Sequence, residues 1–299
     1  MLTSICGINW GDEGKGRMVD LLSRDFDIVC RYPGGNNAGH TVINERGKFI
    51  LNLLPSGILR EDVVNVLGCG MVIDLKHLCG EIGKLRDAGI KITPENLKIS
   101  DKAVITMPYN VLQDCLEEDR LAGKKFGSTG KPYGSTRRGI APVYADKYMK
   151  KAFRMGELLN TELMFRRLPD IVAWKNLTVT AYGYDPVRVD DMIDYFRTYG
   201  EPLKQFITDT GVFLNEAHKA GKSIMFEAQL GALRDIDYGI VPYTSSSSTI
   251  AAYAPIGAGV PNLKLDKSIG IMKAYSSCVG EGPFACEYFG EQAERLREA

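Results

Sequence analysis

The run Trp10-Gly11-Asp12-Glu13-Gly14-Lys15-Gly16 does most to limit the folds open to this chain. Before it, Leu2 to Ile8 is the short apolar run of a buried strand; after it, Met18, Leu21 and Leu22 recur at helical spacing. A strand, a glycine-rich turn and a helix in direct succession open a βαβ unit, in which a parallel sheet is covered by helices. Gly11, Gly14 and Gly16 let backbone N–H groups wrap a phosphate, and the start of the helix favours negative charge there. Lys15 adds a point charge. The loop departs from the common pattern G-x-x-x-x-G-K-[ST], since Asn9 stands five residues before Gly14 and Gly16 follows Lys15. Asp12 is the informative departure. A carboxylate inside a phosphate-wrapping loop is unfavourable unless a cation accompanies it or it handles a proton, and Mg2+ meets the first condition.

The same alternation continues through the first hundred residues. Asp27 to Arg31, Phe49 to Leu54 and Val63 to Leu67 read as strands, with Asn44 to Lys48 as the turn before the second, and Asp74 to Ala88 reads as a helix. From Gly123 to Pro142, glycine, serine and proline prevent regular structure while five basic side chains crowd together, so a long polar loop is predicted. Helical patterns return over Pro142 to Arg167 and Val189 to Ala220, Lys222 to Glu227 reads as a core strand, and the terminal EQAERLREA is helical. Ser245 to Ser248, set between VPYT and TIAAYAPIG, reads as a binding loop. With no internal repeat and no interdomain linker, residues 1–299 are predicted to form one α/β domain, a largely parallel central sheet flanked by helices.

Composition excludes several classes. Lys plus Arg and Asp plus Glu both total 37, so no overall field draws nucleic acid or a membrane surface. No run of about 18 apolar residues occurs and the N-terminus lacks a basic segment leading into an apolar core, so a cytoplasmic protein is expected. Seven cysteines, without a C-x-x-C pair, are expected as reduced, buried thiols, and the three histidines fall at no metal-ligand spacing. His77 and His218 read as packed or surface residues. His40 differs: it closes the cluster Gly34-Gly35-Asn36-Asn37-Ala38-Gly39-His40-Thr41, which follows the strand ending at Arg31 and opens at the same strand-end crevice as the first loop.

In order and spacing, GINWGDEGKGR, RYPGGNNAGHTV and LLPSGIL resemble the opening signature of the adenylosuccinate synthetases. GSTRRGIAPVYADK, FEAQLGALRDIDYG, VPYTSSSST and KAYSSCVGEGPF are similar to later blocks of that family, so the resemblance covers nearly the whole chain. It implies the phosphate-loop NTPase class with an atypical loop. It further implies a purine-biosynthetic ligase, a homodimer using Mg2+, that joins IMP and L-aspartate with GTP to give adenylosuccinate, GDP and phosphate through 6-phosphoryl-IMP.

The resemblance also assigns roles. Asp12 matches the catalytic base, His40 the general acid, and Lys15 stabilises the transferring phosphoryl group. Asp12 and the backbone oxygen of Gly39 match the Mg2+ ligands. Gly11, Asp12, Glu13, Gly14, Lys15, Gly16, Arg17, Gly39, His40 and Thr41 match the GTP site. For IMP the matching positions are Asp12, Glu13, Gly14, Lys15, Asn37, Ala38, Gly39, His40, Thr136, Gln229 and either Thr244 or Ser245, because Leu230 reads as an inserted residue that can slip the alignment by one. Lys150 falls where many members carry an arginine that reaches the partner subunit's IMP. A phage-type relative that aminates a guanine nucleotide with ATP lacks the aspartate of the first loop, which Asp12 supplies here. Family members continue past the position of Ala299 into the aspartate-binding loop and the guanine-selecting segment, so a C-terminally truncated synthetase is expected, with a nucleotide-binding fragment lacking synthetase activity as the alternative.

Overall fold

Short strands buried on both faces set the architecture. In a computed structural model that describes residues 1–44, 47–123, 130–278 and 280–298, the chain begins β1 (Leu2–Gly7), α1 (Lys15–Ser23), β2 (Ile28–Arg31), β3 (His40–Asn44), β4 (Gly47–Leu51), β5 (Val64–Leu67), β6 (Val72–Asp74), α2 (Leu75–Asp87), β7 (Leu97–Ser100), β8 (Val104–Thr106) and α3 (Pro108–Leu121). It continues α4 (Ile140–Tyr148), α5 (Thr161–Ala181), α6 (Val189–Tyr195), β9 (Ile207–Thr208), α7 (Thr210–Lys219), β10 (Ile224–Gly231), α8 (Ala254–Ala258), β11 (Lys267–Ile271) and α9 (Glu291–Glu298).

Seven strands form one sheet in the order β11-β1-β10-β2-β5-β7-β9, every pairing parallel. Parallel strands are covered on both faces, and here the odd and even residues divide the work. Ile5, Val29 and Met225 pack with Val19 of α1 on one face, while Ile28, Cys30, Ile224 and Phe226 meet Leu214 of α7 and Ala254 and Ala258 of α8 on the other. Beyond β5, Leu75, Leu78, Ile82 and Leu85 form the apolar stripe of α2, which buries against Leu97 and Ile99 of β7 together with Leu168 of α5. No helix among the described residues is long and apolar enough to cross a membrane.

The predicted α/β architecture and parallel sheet are present. The run predicted as helix from Pro142 to Arg167 is instead two helices, because Lys150 takes a left-handed backbone (φ 61°) and ends α4; Phe153 and Met155 then cross the core fully buried before α5 starts. Likewise Val189 to Ala220 breaks into α6, a π turn at Phe196–Gly200, a 3-10 turn, β9 and α7. Phe196, Leu203, Phe206 and Leu214 are all buried at spacings that imitate one continuous helix. Of the predicted turn, residues 45 and 46 lie outside the described residues, as do residues 124–129 of the basic loop. All seven cysteines are free.

Candidate active site

β1, β2 and β10 are neighbours in the sheet, so the loops that leave their C-terminal ends meet at one edge. After β1, Gly11 (φ 104°), Asp12 (φ 58°) and Gly14 (φ 89°) have left-handed backbone, and Gly14 is the N-cap of α1. This conformation is easy for glycine and strained for Asp12. Glu13 turns inward. Its Oε1 accepts from the N–H groups of Asn9 (3.2 Å) and Gly11 (2.9 Å), and its Oε2 from Lys15 Nζ at 2.6 Å. The carboxylate lies so close to the strands that a Cβ at Gly7 would stand 2.3 Å from Oε2 and one at Gly231 2.7 Å from Oε1. Both side chains of the ion pair are almost wholly buried, at 3% and 2% exposure.

The register of β10 on β2 sets Glu227 beside Arg31 at the same edge. Glu227 is fully buried and collects three donors: its Oε1 lies 2.5 Å from His40 Nδ1 and accepts from Ser56 Oγ (2.9 Å), while its Oε2 accepts from Ser56 N–H (2.8 Å). Burial opposes its charge, but the bond to His40, the charges around it and the Ser56 N–H hold it below the usual carboxylate range. Burial also pushes His40 down, and this outweighs its bond to Glu227. An ionised Glu227 accepting a hydrogen bond from the Nδ1–H of a neutral imidazole satisfies both. The Arg31 guanidinium is fully buried without a hydrogen-bond partner among the described residues, its charge reaching Glu227 and Glu81 through space.

Above this floor opens a cavity of about 650 Å3, lined at its base by Trp10, Gly11, Asp12 and Asn37–Gly39. One wall is the loop carrying Tyr133 to Thr136, fastened by two buried carboxylates one turn apart on α3. Asp114 accepts from Ser135 Oγ (2.6 Å) and Gly139 N–H (2.8 Å); Glu118 accepts from the N–H groups of Tyr133 and Gly134 (3.1 Å each). The facing wall is the serine loop with Thr244 and Ser245. Asp235, fully buried, folds that loop by accepting from Thr249 N–H (2.7 Å) and Ser248 Oγ (3.0 Å). Arg234 reaches the carbonyls of Tyr243 and Glu281 and so ties in a third segment, whose Phe284 meets Trp10 edge-on at 4.8 Å.

The structure therefore gathers Gly11, Asp12, Asn37, Ala38, Gly39, Thr136, Thr244 and Ser245 around one cavity. Glu13, Lys15 and His40 are buried in the floor beneath it. Gly16 is buried against the His40 side chain, while Gly14 at the cap of α1, Arg17 in its first turn and Thr41 on β3 are exposed. Gln229 is fully buried and donates to Asn37 Oδ1 at 2.8 Å. Next to it Leu230 has φ 58° where the register of β10 on β1 shifts, from Ile5 facing Glu227 to Gly7 facing Gly231; the extra length is absorbed as a bulge. Lys150 is exposed at the end of α4 and is not among the residues that line the cavity. Glu227, Ser56, Asp114, Glu118, Arg234 and Asp235 were not chosen from the sequence as site residues.

A family model of adenylosuccinate synthetase matches residues 4–299. The chain belongs to the adenylosuccinate synthetase family. It is 41% identical over 294 residues to the adenylosuccinate synthetase of Clostridium novyi (strain NT), covering 98% of this chain and 67% of that protein. A solved structure of fully ligated adenylosuccinate synthetase from Plasmodium falciparum superposes with a TM-score of 0.89 at 33% identity, covering 99% of this chain and 67% of that one. The succinoaminodeoxyadenylate synthetase of cyanophage S-2L, solved with dGMP and dATP, shares the fold at a TM-score of 0.56 and 19% identity over 87% of this chain and 60% of that one. An adenylosuccinate synthetase is a ligase of purine nucleotide biosynthesis that joins IMP and L-aspartate, and GTP is the energy donor typical of the family.

Proposed function

We propose that the cavity at the C-terminal ends of β1, β2 and β10 is where IMP is activated, with Asp12 as base, His40 as general acid and Lys15 beside the transferring phosphoryl group. The observation that carries this is the convergence of Asp12, Asn37, Thr136, Thr244 and Ser245 on one cavity of about 650 Å3, a volume suited to a nucleotide-sized ligand. Asp12 projects from a strained backbone at the cavity base, where its carboxylate can take the N1 proton of IMP and make the 6-oxygen nucleophilic. Attack on the γ-phosphate of GTP gives 6-phosphoryl-IMP, from which the amine of L-aspartate displaces phosphate. Asn37, held by Gln229, together with Thr136 and the Thr244–Ser245 pair, orients the base and its ribose phosphate.

Mg2+ fits this donor set. Among the described residues no three or more His, Cys, Asp or Glu side chains converge as a metal site, but Asp12 and Gly39 front the same cavity, and Mg2+ usually takes one or two carboxylates plus substrate phosphates. Bound there, it would neutralise charge on the phosphates of GTP. A homodimer joined near the end of α4 is supported by Lys150 lying outside its own cavity, beside Tyr148 and Met149, which are 79% and 50% exposed. The reading takes residues 1–299 as one domain of a cytoplasmic enzyme.

The test supplies the purified full-length protein with IMP carrying oxygen-18 at C6, together with GTP, L-aspartate and Mg2+. Adenylosuccinate and labelled phosphate are expected. Unlabelled phosphate alongside product would remove the phosphoryl-IMP step. The Asp12→Asn variant is expected to lose about 10²–10⁴-fold in kcat while binding IMP nearly as well, the range of one general base.

A further inference from the structure

Resting on the reading of His40 as general acid, we propose that Glu227 is a positioning residue for it. Its carboxylate fixes the imidazole through Nδ1–H, so that Nε2 faces the substrate and carries the proton the acid gives up, the ring returning to its neutral Nδ1–H form. Nothing in the sequence links the two, since they lie 187 residues apart. Three independent contacts leave the carboxylate one orientation: His40 Nδ1 at 2.5 Å and Ser56 Oγ at 2.9 Å on Oε1, and Ser56 N–H at 2.8 Å on Oε2. Glu227 is buried to 0% exposure and His40 to 7%, so water does not compete for these bonds. Arg31 is Glu227's register partner on β2, and its cation makes no hydrogen bond among the described residues. It stabilises the charge of Glu227 without occupying either oxygen.

The amide of a Glu227→Gln variant cannot reproduce this pattern. With its oxygen toward His40, its NH2 faces the Ser56 N–H. Turned over, the oxygen accepts from Ser56 but the NH2 meets Nδ1, which must then give up its proton and become an acceptor. The neutral ring then holds its one proton on Nε2, with no carboxylate to hold a second on Nδ1; giving that proton up would leave an imidazolate, so the ring no longer serves as an acid.

The chain has three histidines, which makes nitrogen-15 NMR of the histidine-labelled protein decisive, with the His40→Asn variant identifying the His40 signals. His40 is expected to carry its proton on Nδ1 in the wild type and to shift to Nε2–H in Glu227→Gln. A bare Nδ1 in the wild type, or unchanged His40 shifts in Glu227→Gln, overturns the proposal. Should Glu227→Gln fail to fold, Glu227→Asp keeps the charge facing Arg31 and draws the carboxylate back by a methylene; an unchanged His40 spectrum there overturns it equally. In turnover, Glu227→Gln is expected to lower kcat about a hundredfold with KM for IMP and GTP within about threefold, a split that a general loosening of the site does not give. His40→Asn separates the two readings. If it turns over like the wild type, the acid assignment fails whatever the tautomer; if it is inactive while Glu227→Gln is unimpaired, the positioning role fails alone.

Discussion

The strands β2 and β10 carry a charged pair at each end, and the two pairs are built differently. At the N-terminal end Lys222 Nζ meets Asp27 at 2.8 Å with the side chains 55% and 37% exposed, and the N–H and hydroxyl of Ser223 also donate to Asp27. At the C-terminal end Arg31 and Glu227 are wholly buried, and Glu227 is engaged by His40 and Ser56. Surface pairs contribute little because water and salt screen them. Buried ones are expensive to assemble and more expensive to half-dismantle, so their presence in the floor of the site marks where the fold sacrifices stability for placement. The helices and strands are shared; of these two pairs, only the one at the cavity end is desolvated.

The largest effect on stability should come from breaking the buried pair beneath the first loop. Glu13→Ala leaves Lys15 Nζ buried beside two backbone N–H groups, of Asn9 and Gly11, that lose their acceptor. Urea unfolding is expected to show a loss of about 3–5 kcal/mol. A loss under about 1 kcal/mol would put the buried pair on the footing of a surface one and erase the contrast between the two ends.

The wall of the cavity should rank next. Asp114→Ala removes the acceptor for Ser135 Oγ and Gly139 N–H, a loss of about 1–3 kcal/mol. Since Thr136 lies on the loop so fastened, IMP binding measured by calorimetry should weaken about tenfold, equivalent to about 1.4 kcal/mol. Unaltered IMP affinity would show that the loop holds its place without α3.

How much of this the sequence disclosed follows from the range over which each feature is written. The strand, glycine loop and α1 are local, and Asp12 and His40 stand in runs that can be read by eye. β9 is two residues long and sits inside apolar spacing that imitates a helix, and β11 has mostly exposed side chains with no run to mark it. The organisers of the site were hidden because their partners are distant: Glu227 serves His40 and Ser56 from a different strand, and Asp114 and Glu118 serve a loop 15 to 25 residues further on. One signal was available, a lone carboxylate closing the apolar run Ile224–Phe226. A charge there needs a buried partner.

The smallest predicted effect tests the N-terminal end, where the contrast requires a weak and pH-dependent contribution. The Lys222 ammonium, then the N–H and hydroxyl of Ser223, hold Asp27 down at about 2. A carboxylate depressed in the folded chain contributes stability that is present above its unfolded value of about 3.9 and is lost as the pH falls through its folded value. The window is therefore about pH 4 down to about 2. Asp27→Asn should lower Tm by less than about 2 °C at pH 6, because so exposed a pair is screened, and the gap should close as the pH is taken down through that window. A gap that stays constant on acidification would mean that Asp27 acts by shape alone and that charge at this end of the strands does nothing.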